Sequence, residues 1–163
     1  MSTHQWPAYP GTGEASSVGG DAAVGTNVNV PLPPGSTGEA LRAAFDDVID
    51  PVIEQFAPTW VLISAGFDAH RDDPLAELRW SAGDYADITD RITAFAPERG
   101  RVVAYLEGGY DLDALAQSSA ATIASLAGER WRPEGASNGG PGREAVERAA
   151  AVRRRAIEHA MQR

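Results

Sequence analysis

Two stretches of this 163-residue chain carry side chains capable of acid, base or metal chemistry. In the first, the apolar run Trp60-Val61-Leu62-Ile63 leads through Ser64-Ala65-Gly66-Phe67 into Asp68-Ala69-His70-Arg71-Asp72-Asp73. A short, partly β-branched apolar run reads as a strand covered on both faces, and in parallel α/β sheets ligands bind beyond the carboxyl ends of strands. Asp68 is therefore the first candidate. The second stretch is Gly108-Gly109-Tyr110, behind the run Arg101 to Leu106, where two residues without side chains permit a tight turn and close approach. Alternate residues of an extended chain face one side, so Asp68 and His70 make a chemically possible Asp-x-His pair. A hydrolytic zinc site needs three protein ligands and an open position for water. With no cysteine and only three histidines, any such site would rest on carboxylate, imidazole or carbonyl oxygen. Asp72 and Asp73 read as structural carboxylates, Asp73-Pro74 as a turn initiator, and Arg71 as a partner for one of them.

The elements that must hold these tips read as strand, helix, strand, helix. Residues 1 to 26, rich in Gly, Pro, Ser and Thr, read as loop. Thr26 to Val30 alternates as a short strand does, and Pro31 to Gly35 ends it. Ser36 and Glu39 make a capping box for a helix with the apolar stripe Leu41, Ala44, Phe45, Val48, Ile49, Val52, Ile53 and Phe56, kinked at Pro51 and closed by Pro58. Ser81 caps a second helix bearing Tyr85, Ile88, Ile92 and Phe95. Arg101 to Leu106 is a second buried strand, and Asp111 caps a third helix carrying Leu112, Leu115, Ile123 and Leu126. This order predicts an open α/β fold over residues 1–127. Composition then shifts. Residues 128–142 read as a Gly/Pro-rich flexible linker, and 143–163 as an Ala, Arg and Glu-rich helical appendage in solvent. Within it, Arg153-Arg154-Arg155 is either a solvated charge run or a docking patch for an acidic partner.

The segment SAGFDAHRDDPL at 64–75 resembles the zinc-dependent histone deacetylase and acetylpolyamine amidohydrolase family. Leu106-Glu107-Gly108-Gly109-Tyr110 downstream, and His4-Gln5, Tyr9-Pro10-Gly11-Thr12-Gly13 and Asn27 to Gly35 upstream, follow in the family's order. The resemblance implies a partial three-layer α-β-α architecture with a parallel sheet, the second half of an arginase/deacetylase-like fold. It also implies that Asp68 ligates zinc and that the Tyr110 hydroxyl hydrogen-bonds the substrate carbonyl and stabilises the tetrahedral oxyanion. By the same resemblance Tyr9, Gly108 and Gly109 shape the acyl tunnel, and Ser2 and Thr3 serve a structural monovalent cation such as potassium. His4 and His70 stand beside the ligands rather than among them, and His159 lies exposed in the appendage. The family's pair of adjacent histidines and its Asp-x-His metal motif find no counterpart, so the resemblance leaves at most one zinc ligand and implies no turnover by the chain alone.

The formal charge of -9 argues against nucleic acid or an anionic membrane as the main partner and mildly favours cationic, amine-bearing substrates. No apolar window is long enough to cross a bilayer and no basic-then-apolar signal opens the chain, which makes the cytoplasm the default compartment. Three functions compete. The first is the C-terminal part of a deacetylase acting on acetyl-lysine, an acetylpolyamine or a related acylated amine, its other half missing, split off or lost to a misassigned start. The second is a non-catalytic α/β module for assembly or ligand binding, inclined to self-association because a sheet cut in the middle bares apolar surface. The third, nucleotide binding, lacks a Gly-rich phosphate loop after either apolar run.

Overall fold

The structure, a computed structural model, describes residues 1–98 and 100–162. Four strands pair in two parallel couples: β1 (Ser2–Gln5) with β2 (Asn29–Leu32), and β3 (Val61–Ala65) with β4 (Val102–Leu106). The helices are α1 (Gly38–Ala44) and α2 (Asp50–Phe56), joined by a π-helical turn at Phe45–Ile49, then α3 (Ala82–Thr93), α4 (Leu112–Ala127) and α5 (Arg143–Ala160). Parallel pairing with helices between strands makes this an α/β chain, as the element order predicts.

The amino-terminal expectation needs correction. Residues 2–5 are strand rather than loop, held by Ser2 N–H to Val28 O and Trp6 N–H to Leu32 O, each 2.8 Å. β2 runs through Pro31, which a strand tolerates when it pairs on one side only. The helix cap also shifts by one residue. Thr37 is the N-cap, accepting from the Glu39 amide, while Ser36 Oγ donates to Pro33 O at 2.7 Å. The anticipated kink is a widened turn. Pro51 has no N–H to return to the preceding turn, and just before it the Asp50 N–H reaches back five residues to Phe45 O.

The core gathers Val30 and Leu32 of β2, Leu41, Ala44, Phe45, Val48 and Ile49 of the first helical segment, Phe67 after β3, and Val146 and Ala149 of α5. α3 starts with the capping box of Ser81 and Asp84 and packs on α4 through small residues, Ala82 and Ala86 against Ala121. That contact splits the expected large-residue stripe of α4, of which Leu115 packs against the main core. Leu112 and Ile123 are 79% and 63% exposed, whereas Ala114, Ser118, Ala121, Thr122 and Ser125 are buried. β3 and β4 likewise depart from burial on both faces: Leu62 is 66% and Tyr105 55% exposed on the face they share in this register.

The flexible linker and solvated appendage are corrected as well. From Arg132 to Gly140 the chain is a strap bonded to the body at successive positions. Arg132 pairs with Asp87 and Asp90, Glu134 accepts from the Ala82 amide at 2.6 Å, Ser137 Oγ donates to Asp84 at 2.5 Å, and Gly139 O accepts from Thr37 Oγ1 at 2.5 Å. Buried Asp84 is the hub, also accepting from Arg42 Nη1 at 2.8 Å. α5 is helical as predicted but amphipathic, with Val146 fully buried and Ala149 nearly so. Arg153 is no free charge either, since its guanidinium donates to Gly25 O.

Candidate functional site

Parallel pairing in the register Val61↔Val102 through Ala65↔Leu106 brings the ends of β3 and β4 out on one side. The ladder continues past both strands, with Glu107 N–H donating to Ala65 O at 3.0 Å and Phe67 N–H to Gly108 O at 2.7 Å. Asp68 and the Gly108-Gly109-Tyr110 turn therefore belong to adjacent loops. The Asp68 carboxylate occupies the space that side chains at Gly66 and Gly108 would fill: a β-carbon on Gly108 would lie 2.7 Å from Oδ2, and one on Gly66 3.0 Å from Oδ1. Gly109 adopts φ of 136°, which favours glycine, and a β-carbon there would lie 3.1 Å from both Phe67 and Leu115.

Burial raises the Asp68 carboxyl above its ordinary pKa, its own backbone amide opposes this, and the charge of nearby Asp73 adds to it. A carboxylate held where its charge is disfavoured is relieved by a cation. The Tyr85 phenol, packed edge-on to Phe67 with ring centroids 5.1 Å apart, is pushed well up, first by burial and then by the Asp68 charge.

Asp73 was legible only as a structural carboxylate. It is buried, and its two oxygens do separate work: Oδ1 accepts from the Leu75 amide at 2.9 Å, and Oδ2 from the Tyr110 amide at 2.8 Å across to the β4 loop. The Tyr110 residue is 57% exposed. His70 is buried and fully engaged. Nδ1 accepts from the Asp72 amide at 3.2 Å, so the ring hydrogen sits on Nε2 and is donated to Glu134 at 2.9 Å. Arg71 pairs with Glu134, not with Asp72 or Asp73 as expected. Glu134, in the supposed linker, escaped sequence reasoning because nothing in its local pattern marks a long-range partner.

The β1 residues form a separate group. His4 Nε2 lies 3.0 Å from Gly13 O, which can only accept, so the ring hydrogen is on Nε2 and Nδ1 accepts from Ser2 Oγ at 2.9 Å. Burial lowers the His4 pKa, with the Gly13 carbonyl opposing. Thr3 is half-buried in the same strand. Tyr9 is 99% exposed.

Among the described residues no group of three or more His, Asp or Glu side chains is placed to hold a metal ion. Asp73 and His70, the neighbours of Asp68 in sequence, are committed to the bonds above.

Residues 1–126 match the family described as the histone deacetylase domain. Over 131 residues the chain is 47% identical to histone deacetylase 10, chloroplastic, of Oryza sativa subsp. japonica, covering 79% of this chain and 30% of that protein. It is 43% identical to a probable deacetylase of Archaeoglobus fulgidus, covering 78% and 36% respectively. The crystal structure of the HDA15 HD domain superposes with a TM-score of 0.81 at 32% identity, covering 98% of this chain and 44% of that one. The chain thus spans about a third of the length of these curated relatives.

Proposed function

This chain belongs to the histone deacetylase domain family, and from that premise we propose that it contributes one wall of a site that hydrolyses N-acetyl amides on acetyl-lysine, an acetylpolyamine or a related acylated amine. Asp68 would supply one oxygen ligand to zinc, whose other ligands would come from the complementary half. Tyr110 donates its phenolic hydrogen to the acyl oxygen as negative charge develops there, a contribution of roughly 3 kcal/mol for a well-aimed donor. Gly108 and Gly109 keep the approach to that oxygen open, Tyr9 borders it once the remaining wall is present, and Ser2 and Thr3 serve a monovalent cation, potassium by the family resemblance.

The observation that supports this reading best is the ladder extension from Phe67 to Gly108, which sets the carboxylate loop beside the phenol loop at one end of a parallel pair. The test is to combine the chain with a separately produced amino-terminal half of a deacetylase domain and measure acetate release from an acetyl-lysine peptide and from an acetylpolyamine. Tyr110→Phe is expected to lower the rate by roughly a hundredfold or more. An unchanged rate would refute the role given to that hydroxyl.

The second reading is a non-catalytic assembly module, favoured by the uncovered apolar side of β3 and β4. Calorimetric zinc titration separates the two. Zinc binding that appears only with the complementary half and is lost in Asp68→Ala supports the enzyme, whereas assembly of the two halves without zinc binding supports the module.

A further inference from the structure

We propose that Asp73 is a positioning residue for Tyr110, its carboxylate pinning the loop after β4 to the loop after β3 so that the phenol is held beside Asp68. The inference rests on the deacetylase reading for what Tyr110 does, but its geometry stands apart from that reading. Tyr110 follows two glycines, and Gly109 lies in a backbone region that other residues rarely adopt. Such a turn has little intrinsic stiffness, and more than half of the tyrosine surface is exposed. Few constraints therefore remain to fix its direction, and the bond from its own amide to Asp73 Oδ2 at 2.8 Å is one that acts on the residue itself.

The other end of the clamp is equally specific. Asp73 Oδ1 takes the Leu75 amide at 2.9 Å, and the Asp73 amide donates to His70 O at 3.0 Å. The carboxylate is thereby oriented by its own loop before it reaches across. Asp73 is 7% exposed, and a buried carboxylate with an amide on each oxygen forms charge-assisted bonds stronger than neutral ones. An asparagine at this position has one acceptor oxygen and can serve Leu75 or Tyr110, not both. Because a catalytic donor must be aimed closely, loosening this clamp should impair the chemical step more than ground-state binding.

The experiment measures amide hydrogen exchange at Tyr110 in the full chain, with 3-fluorotyrosine labelling to report the ring by fluorine NMR. In the unaltered protein the Tyr110 amide, although in an exposed turn, should exchange at least roughly tenfold more slowly than an unstructured amide, and Asp73→Ala should abolish that protection while the amides of α3 and α4 keep theirs. Asp73→Asn should fall between the two, with a broadened Tyr110 fluorine line. In the reconstituted assembly, Asp73→Asn should lower kcat by roughly tenfold with KM held. Unprotected exchange at Tyr110 in the unaltered chain overturns the proposal, a result that needs no variant to fold. So does native-like Asp73→Ala with unchanged Tyr110 exchange, or a Asp73→Asn assembly with unchanged kcat. An assembly inactive even with the unaltered chain counts against the deacetylase reading, while the exchange data still decide the clamp.

Discussion

The carboxylate of Asp68 rests on the bare backbone of Gly108, 2.7 Å from where a β-carbon would stand. Each residue sets the limits of the other: the glycine makes room for the charge, and the charge forbids any side chain at the glycine. Gly108→Ala must displace Asp68 or the turn, and overpacking of this kind typically costs about 1–3 kcal/mol. A lowered urea midpoint is expected, together with shifted NMR signals of residues 66–68. Gly135→Ala, whose β-carbon would meet nothing within 4 Å, should leave both unchanged.

The contribution of α5 can be measured at Val146. Its side chain is fully buried in the main core, so Val146→Ala is expected to lower stability by about 2 kcal/mol, the order of the burial free energy that a valine supplies. Val152→Ala, half-buried on the same helix, should cost less. Equal and negligible effects in urea unfolding would mean that the helix does not dock.

Glu134 gives the strap a pH dependence. Burial works against its charge, but the Ala82 amide, His70 and Arg71 outweigh burial and hold its pKa below the ordinary 4.5. The unfolded chain therefore takes up the proton first as pH falls, so the stabilisation is complete above about 4.5 and is lost as pH drops through the lowered folded value. Glu134→Gln should cost about 1–3 kcal/mol at pH 7, as hydrogen bonds to a charged group do. The difference between variant and unaltered protein should shrink as pH falls below about 4.5, read from urea midpoints across that range.

The bare side of β3 and β4 predicts concentration-dependent self-association of the chain on its own. Trp60, Leu62 and Tyr105 are each more than half exposed, a density of large apolar groups that marks an interaction or aggregation surface. Leu62→Glu should shift sedimentation profiles toward the monomer and raise solubility without changing helix content. If association is unaltered, it proceeds through another surface.

Much of the site was legible in the primary structure because its signals are local. An apolar run ending in Gly-Phe-Asp, and a second ending in Gly-Gly-Tyr, mark strand tips wherever they occur, and the caps at Ser81 and Asp111 are set within four residues. What escaped depends on partners far away in the chain. Glu134 and Ser137 look like linker residues until α3 supplies an amide and a buried carboxylate for them. Asp73 looks like a turn former, which it is, but its second oxygen finds Tyr110 only once β4 lies beside β3. The stripe of α4 held at Leu115 and failed at Leu112 and Ile123 for a related reason: hydrophobic spacing predicts which side prefers burial, whereas close approach to α3 selects the side with alanines and serines.

The pairing of β3 with β4 also bears on synthesis. Val61 meets Val102 in register, so roughly forty further residues, with α3 among them, must be made before the two tips can join, and such non-local contacts form late. A nascent chain halted before Gly108 displays the acidic loop with no opposite bank. Its proteolytic fragments should report that order, the first loop becoming resistant only after the glycine turn has emerged from the ribosome.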